Sequence, residues 1–158
     1  MKLREYIDPS WILVGLRPAD KLDLLSTLAA AAAERLGTID AVELGRRLLE
    51  REQQSSTGMG NGVAVPHTFI DGLERMACFL AQIPDGVGYE ATDDQPVYFV
   101  VLLIGPAGGV GNHLKLLART ARLVRRPEFV REIAAVSTAD EVFQLVLAED
   151  ERHAEGNR

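Results

Sequence analysis

The side chain with the clearest chemical use is His67, at the end of Ser56-Thr57-Gly58-Met59-Gly60-Asn61-Gly62-Val63-Ala64-Val65-Pro66-His67. An imidazole is neutral enough near pH 7 to attack phosphorus, and the phosphoramidate it forms can pass the group onward. A lone histidine beside an apolar run is ordinarily a hydrogen-bonded core residue. Here Pro66 fixes the backbone just before it, and glycines at 58, 60 and 62 let a ligand approach the main chain closely. Phosphoryl transfer asks the protein mainly for placement and charge stabilisation. The hydroxyls of Ser56 and Thr57 and the backbone N–H groups around Gly58 and Asn61 are the expected phosphate-binding loop.

Two further candidates bear on an anion. His113 follows Gly105-Pro106-Ala107-Gly108-Gly109-Val110-Gly111-Asn112, and Asn112 can end that loop as a helix N-cap. A helix N-terminus favours negative charge, so an imidazole there suits a phosphate. Arg46, Arg47 and Arg51 all precede the glycine segment, and any of them can make planar two-point contact with phosphate oxygens. Composition does not choose among the three. Lys115, Arg119, Arg122 and Arg126 share one helical face, with Leu114, Leu117, Ala121 and Val124 expected on the buried side. Such a stripe is ordinarily a solvated face, and its functional reading is docking of an acidic patch.

The elements that must hold these groups alternate along the chain. A short strand is expected at Ile12–Leu16, and a helix from Asp20 to Leu36 that stops at Gly37. Asp40 caps a second helix to about Gln53, with Glu43 at the capping-box position. Strands follow at Val63–Val65, Met76–Ile83 and Val97–Ile104. The last is apolar on both faces and hence central. Pro84-Asp85-Gly86 reads as a turn between the last two. Helices at His113–Arg125, Pro127–Ala135 and Ala139–Leu147 close the pattern, the last capped by Ser137 or Thr138. The fold class is α/β, a mixed central sheet covered by helices. One domain is expected over 1–148, with 149–158 a flexible polar tail.

The formal net charge of −6 argues against a general nucleic-acid binder. One cysteine, Cys78, cannot make an internal disulfide, and with three histidines in all a structural zinc site is not expected. No nucleotide-binding lysine loop or dinucleotide fingerprint is present, and no cofactor is expected. Glu5, Asp8 and Pro9 precede any long apolar run, and the run Val97–Ile104 is far too short to span a bilayer. A cytoplasmic protein, not embedded in a membrane, is the expectation.

The chain resembles the type-2 enzyme IIA domains of the phosphotransferase system, the fructose/mannitol/nitrogen-regulatory class. The likeness rests on the glycine segment leading to Pro66-His67, on Leu49-Glu50-Arg51-Glu52 before it, and on Gln95-Pro96-Val97. It continues through Asn112-His113-Leu114-Lys115-Leu116-Leu117-Ala118, Pro127-Glu128-Phe129 and Ser137-Thr138-Ala139-Asp140-Glu141, covering about Pro9 to Leu147. The resemblance implies a layered α/β sandwich of the mannitol-type enzyme IIA and a phosphocarrier function. It makes His67 the phosphoryl acceptor, His113 an orienting or charge-stabilising neighbour, and Arg51 the arginine that contacts phosphate. It also implies a histidine phosphocarrier protein as donor, and a regulatory target or an enzyme IIB component as recipient. One departure stands out. Family members usually follow the histidine with glycine, where this chain has Thr68, a β-branched residue ill suited to a positive φ. No transporter segment is evident in the sequence, which favours the nitrogen-regulatory branch. The alternatives are a sugar-specific component serving a separate permease, and an interaction module that keeps the fold without the chemistry.

Overall fold

The apolar run Val97–Gly105 is the middle strand of a mixed sheet, and its alternation divides the molecule into layers. The computed structural model describes residues 1–155. Its strands are β1 (Ile12–Leu13), β2 (Gly58–Gly60), β3 (Val63–Ala64), β4 (His67–Phe69), β5 (Ala77–Val87) and β6 (Val97–Gly105). The order is β1-β5-β6-β3-β2, with β4 also paired to β6. β6 runs antiparallel to β5 and parallel to both β3 and β4.

Side chains alternate across a strand. Val100, Leu102 and Ile104 pack with Leu24, Leu28, Leu44 and Leu48 of helices α1 (Lys21–Leu36) and α2 (Ala41–Gln54). Phe99, Val101 and Leu103 pack on the other side, against α3 (Val110–Leu123), α4 (Pro127–Ala135) and α5 (Ala139–Glu155). The result is the three-layer α/β sandwich expected from the sequence, each buried leucine contributing about 1.5–3 kcal/mol.

Local chemistry explains the helix ends. Asp20 accepts from the Asp23 N–H at 2.8 Å, and Gly37 stops α1 with φ +72°. Asp40 accepts from the Glu43 N–H at 3.2 Å, while the Glu43 carboxylate is drawn to Arg46 and Arg47. Thr138, not Ser137, caps α5 through its hydroxyl on the Glu141 N–H. Buried Gln82 bonds the carbonyls of Ile133 and Val136 with its amide nitrogen and the Gly15 N–H with its oxygen.

Several expectations are corrected. Pro84-Asp85-Gly86 is not a turn: β5 continues to Val87 through a register shift between Gln82 and Val87. Gly86 takes φ +76° there, where a Cβ would lie 2.9 Å from the Tyr98 ring. α3 begins at Val110 with Gly109 as its cap, so Asn112 lies inside the first turn. The buried stripe of α3 is His113, Leu116, Thr120 and Leu123, leaving Leu114 59 % exposed. Of the stripe inferred from apolar residues, Val124 is buried and Leu117 partly so, but the inward face of the helix is rotated by one position, because two of its residues, His113 and Thr120, are polar.

That rotation also accounts for the basic stripe. Arg119 donates to Asp150 at 2.6 Å, and Arg126 makes a fork of 2.8 and 3.1 Å with Glu149. Both carboxylates are buried on α5, which runs on to Glu155 where a polar tail was expected from residue 149. Asp150 also accepts from the Leu3 N–H, tying the N-terminus to the same clamp. Residues 156–158 of that expected tail lie outside the described residues. Among the described residues no helix is long and apolar enough to cross a membrane.

Three substitutions test this packing. Leu116→Ala is expected to lower unfolding stability by about 2–5 kcal/mol in urea titrations, while Leu114→Ala stays within about 0.5 kcal/mol. Arg119→Ala, which strands a buried carboxylate, is expected to cost about 2–4 kcal/mol in the same measurement.

Candidate functional site

His67 opens β4 at the carboxyl end of the sheet's parallel part, where its register partner on β6 is Leu103. Leu103 faces the α3–α5 layer, so His67 does too, and it meets His113 from the first turns of α3. The two rings lie 5.2 Å apart, tilted by 50°. Phe69, two residues on and therefore on the same face, packs 4.5 Å from the His113 ring. Pro66 suits this strand: its carbonyl accepts from the Leu103 N–H at 3.0 Å, and its missing N–H leaves no donor unpaired.

The His67 ring is fixed from both sides. Nδ1 lies 2.8 Å from the Val65 carbonyl, which can only accept, so Nδ1 carries the proton. Nε2 then holds the lone pair, and the Arg51 Nε–H donates to it at 3.3 Å. Arg51 reaches the site from the last turn of α2, with its Nη1 on the Ser55 carbonyl at 2.9 Å. Arg46 and Arg47 are engaged elsewhere, with Glu43 and Glu50 and with Glu43 and the Phe69 carbonyl. Of the three arginines, Arg51 is the one brought to the imidazole.

Burial holds the His67 pKa below the ordinary imidazole value; the Val65 hydrogen bond opposes this, the Arg51 charge reinforces it and the Glu52 charge opposes it. Burial, with the nearby His67, pushes His113 further, to about 4. His113 is only 4 % exposed, yet neither of its ring nitrogens has a hydrogen-bond partner among the described residues. A buried polar group without a partner calls for an explanation, and this one lies beside the His67 ring.

The glycine segment differs from the expected cradle. Gly58 and its neighbours form β2, antiparallel to β3, and a Cβ at Gly58 would lie 2.6 Å from that of Ala91. Asn61, at φ +56°, turns the hairpin with its N–H on Asp93, beside residues 98 and 99 of β6. His67 pairs at Leu103, four residues further along, or about 13 Å at strand rise. Asn61 is therefore not brought to the imidazole. The Thr57 N–H and hydroxyl are both spent on the buried Glu52 carboxylate, and Ser56 Oγ accepts from the Gly58 N–H. Thr68 pairs with Ile104 and shares its face, away from His113. It is not among the positive-φ residues, so the departure from glycine strains nothing.

Sequence reasoning missed Glu52 and Tyr89, which meet Thr57 behind Arg51. The signal was present in Arg51-Glu52, a charged pair on the last turn of an amphipathic helix, where one side chain must face inward.

Three comparisons bear on this geometry. The family model described as "Phosphoenolpyruvate-dependent sugar phosphotransferase system, EIIA 2" matches residues 5–149. A nitrogen regulatory protein of Bradyrhizobium diazoefficiens is 34% identical over 146 residues, covering 92% of this chain and 95% of that protein. A fructose-specific EIIA component of Haloferax volcanii is 32% identical over 142 residues, covering 81% and 91%. Among solved structures, the nitrogen regulatory protein IIA-Ntr of Neisseria meningitidis superposes with a TM-score of 0.84 at 26% identity, over 91% of this chain and 98% of that one.

An NMR titration of the ring protons tests the electrostatics. His113 is expected to titrate near about 4 and His67 below 6.5, with Arg51→Gln moving the His67 midpoint upward. Folded-state values below those of the unfolded chain mean that the unfolded chain binds more protons in that window. Stability carried by these two histidines is therefore lost as pH falls from about 6.5 toward about 4. His113→Phe is expected to flatten that part of the stability–pH curve.

Proposed function

The chain belongs to the EIIA type-2 family of the phosphoenolpyruvate-dependent sugar phosphotransferase system, and on that footing we propose that His67 is its phosphoryl acceptor. The observation that carries this reading is the His67 ring itself, with Nδ1–H tied to Val65 and the Nε2 lone pair turned toward Arg51. Nε2 attacks phosphorus on a phosphohistidine of the donor, a histidine phosphocarrier protein. One N–P bond forms at Nε2 as the other breaks, and the departing imidazole nitrogen of the donor recovers its lone pair. No proton need move in the step.

Arg51 has a second duty in this scheme. Its guanidinium leaves the Nε2 lone pair as the phosphoryl group arrives and binds the equatorial oxygens, where negative charge accumulates. The unpartnered nitrogens of His113 supply a further donor at the same place, and neutral His113 adds no positive charge that would trap the product. A site that binds the transferring group by fixed donors needs little reorganisation during the step. The hydroxyls of Ser56 and Thr57 and the backbone at Gly58 contribute by holding the turn beneath Arg51, not by direct contact.

The recipient we propose is a regulatory protein whose binding follows the phosphorylation state of His67, since a phosphate of nearly two charges changes the surface around it. Similarity to the Bradyrhizobium protein along nearly the full length of both chains supports that reading, as does likeness to the Neisseria structure. The second reading is delivery to an enzyme IIB component of a sugar permease, favoured by the match to the fructose-specific component of Haloferax.

Incubation with phosphoenolpyruvate, enzyme I and a histidine phosphocarrier protein tests the proposal by intact mass. An acid-labile phosphoryl adduct is expected on the wild type and none on His67→Ala. Arg51→Ala is expected to slow transfer by about 10²–10³, the usual loss for one charge-stabilising donor. Thr68→Gly should transfer at close to the wild-type rate. An adduct that survives His67→Ala sinks the assignment.

A further inference from the structure

Glu52 follows Arg51 on the last turn of α2, and its side chain is 2 % exposed. Its Oε1 accepts from the Thr57 N–H at 2.8 Å, from the Thr57 hydroxyl, and from the Tyr89 hydroxyl at 3.1 Å. Its Oε2 meets Lys21 Nζ at 2.5 Å, and that ammonium lies 4.4 Å from the centre of the Tyr89 ring. One carboxylate thus joins the first turn of α1, the end of α2, the turn before β2, and the segment between β5 and β6. Burial alone would raise the Glu52 pKa, but Lys21 and Thr57 outweigh it and hold the group anionic.

We propose that Glu52 is a positioning residue for phosphoryl transfer, holding the turn at 55–57 so that the Arg51 guanidinium stays aimed at His67. This rests on the reading of His67 and Arg51 given above. Among the described residues the guanidinium has two hydrogen-bond partners, His67 Nε2 and the Ser55 carbonyl, and the second belongs to the turn that Glu52 anchors through Thr57. A free arginine side chain spreads over many rotamers, so a fixed carbonyl removes disorder before the substrate arrives. The same turn presents the Thr57 carbonyl to the Val65 N–H at 3.0 Å, and Val65 in turn holds His67 Nδ1. Both contacts that fix the nucleophile and its stabilising cation therefore lead back to Glu52. At the His67 ring its charge opposes that of Arg51.

A purely structural glutamate would lower stability without acting through Arg51. The test is a cycle of Glu52→Gln, Arg51→Ala and the double variant in the transfer assay, with rates taken at saturating and limiting phosphocarrier. Glu52→Gln is expected to slow transfer at saturating donor by about 10- to 100-fold while leaving half-saturation little changed. In the Arg51→Ala background it should cost less than about threefold more. Multiplicative losses, or a folded Glu52→Gln protein that transfers at the wild-type rate, overturn the proposal. Thr57→Val keeps the backbone donor and the fold should Glu52→Gln prove unfolded; it is expected to slow transfer, and an unchanged rate overturns the proposal. A separate readout needs no donor. In wild-type protein the Arg51 Nε–H should give a slowly exchanging NMR signal, lost in Glu52→Gln and in Thr57→Val weakened. Persistence of that signal in Glu52→Gln overturns the positioning role. A wild type that accepts no phosphoryl group defeats the carrier reading and leaves this readout standing.

Discussion

The parallel pairing of β4 with β6 sets everything else at the site. Registering His67 on Leu103 puts the imidazole on the α3 face of the sheet, opposite His113. Side-chain direction in a strand has a period of two, so a slip of one residue would turn His67 toward α1 and α2 and present Thr68 to His113. The pairing is held at Pro66, whose carbonyl takes the Leu103 N–H, and beyond β4 at Ile70, whose N–H donates to Gly105. Apolar residues on both faces of β6 make any slip costly, because each would leave its own layer of the core.

Around that strand, charge is arranged in two buried sets. One, Lys21–Glu52, lies behind Arg51, whose guanidinium meets His67. The other, Arg119–Asp150 and Arg126–Glu149, ties α3 and the start of α4 to α5. Breaking a buried pair by removing one partner is strongly destabilising even where the intact pair adds little. The second set therefore makes the α3 position depend on α5, and α3 carries His113. Of the basic stripe read from sequence as ordinarily a solvated face, with docking as its functional reading, Arg119 and Arg126 are consumed in this internal clamp.

His113 shows how a packing position becomes a chemical one. It occupies a core slot of α3, packed on Phe69 of β4, where an apolar residue would satisfy burial completely. Burial favours the neutral imidazole there, and both its nitrogens lack partners among the described residues, a cost that the free protein carries.

The sequence by itself determined the fold class, the helices α1, α2 and α4 nearly to the residue, and the central place of β6, and it singled out His67 as the candidate. These are local matters: periodicity, caps, Pro66 and a continuous apolar run act over a few residues and can be read without distant contacts. Singling out Arg51 needed a family resemblance, because three arginines on one helix are equivalent until a partner is in place. Tertiary structure alone decided that Glu43 and Glu50 occupy Arg46 and Arg47, that Thr57 serves Glu52, and that Asn61 turns a hairpin far from the imidazole. It also decided the rotation of α3 and the long run of α5, where residues that look solvated are buried, Thr120 on the Leu116 carbonyl of its own helix and Glu149 and Asp150 against Arg126 and Arg119. A polar side chain can be inside whenever a distant segment completes its hydrogen bonds, and pairing across such distances leaves no period in the chain.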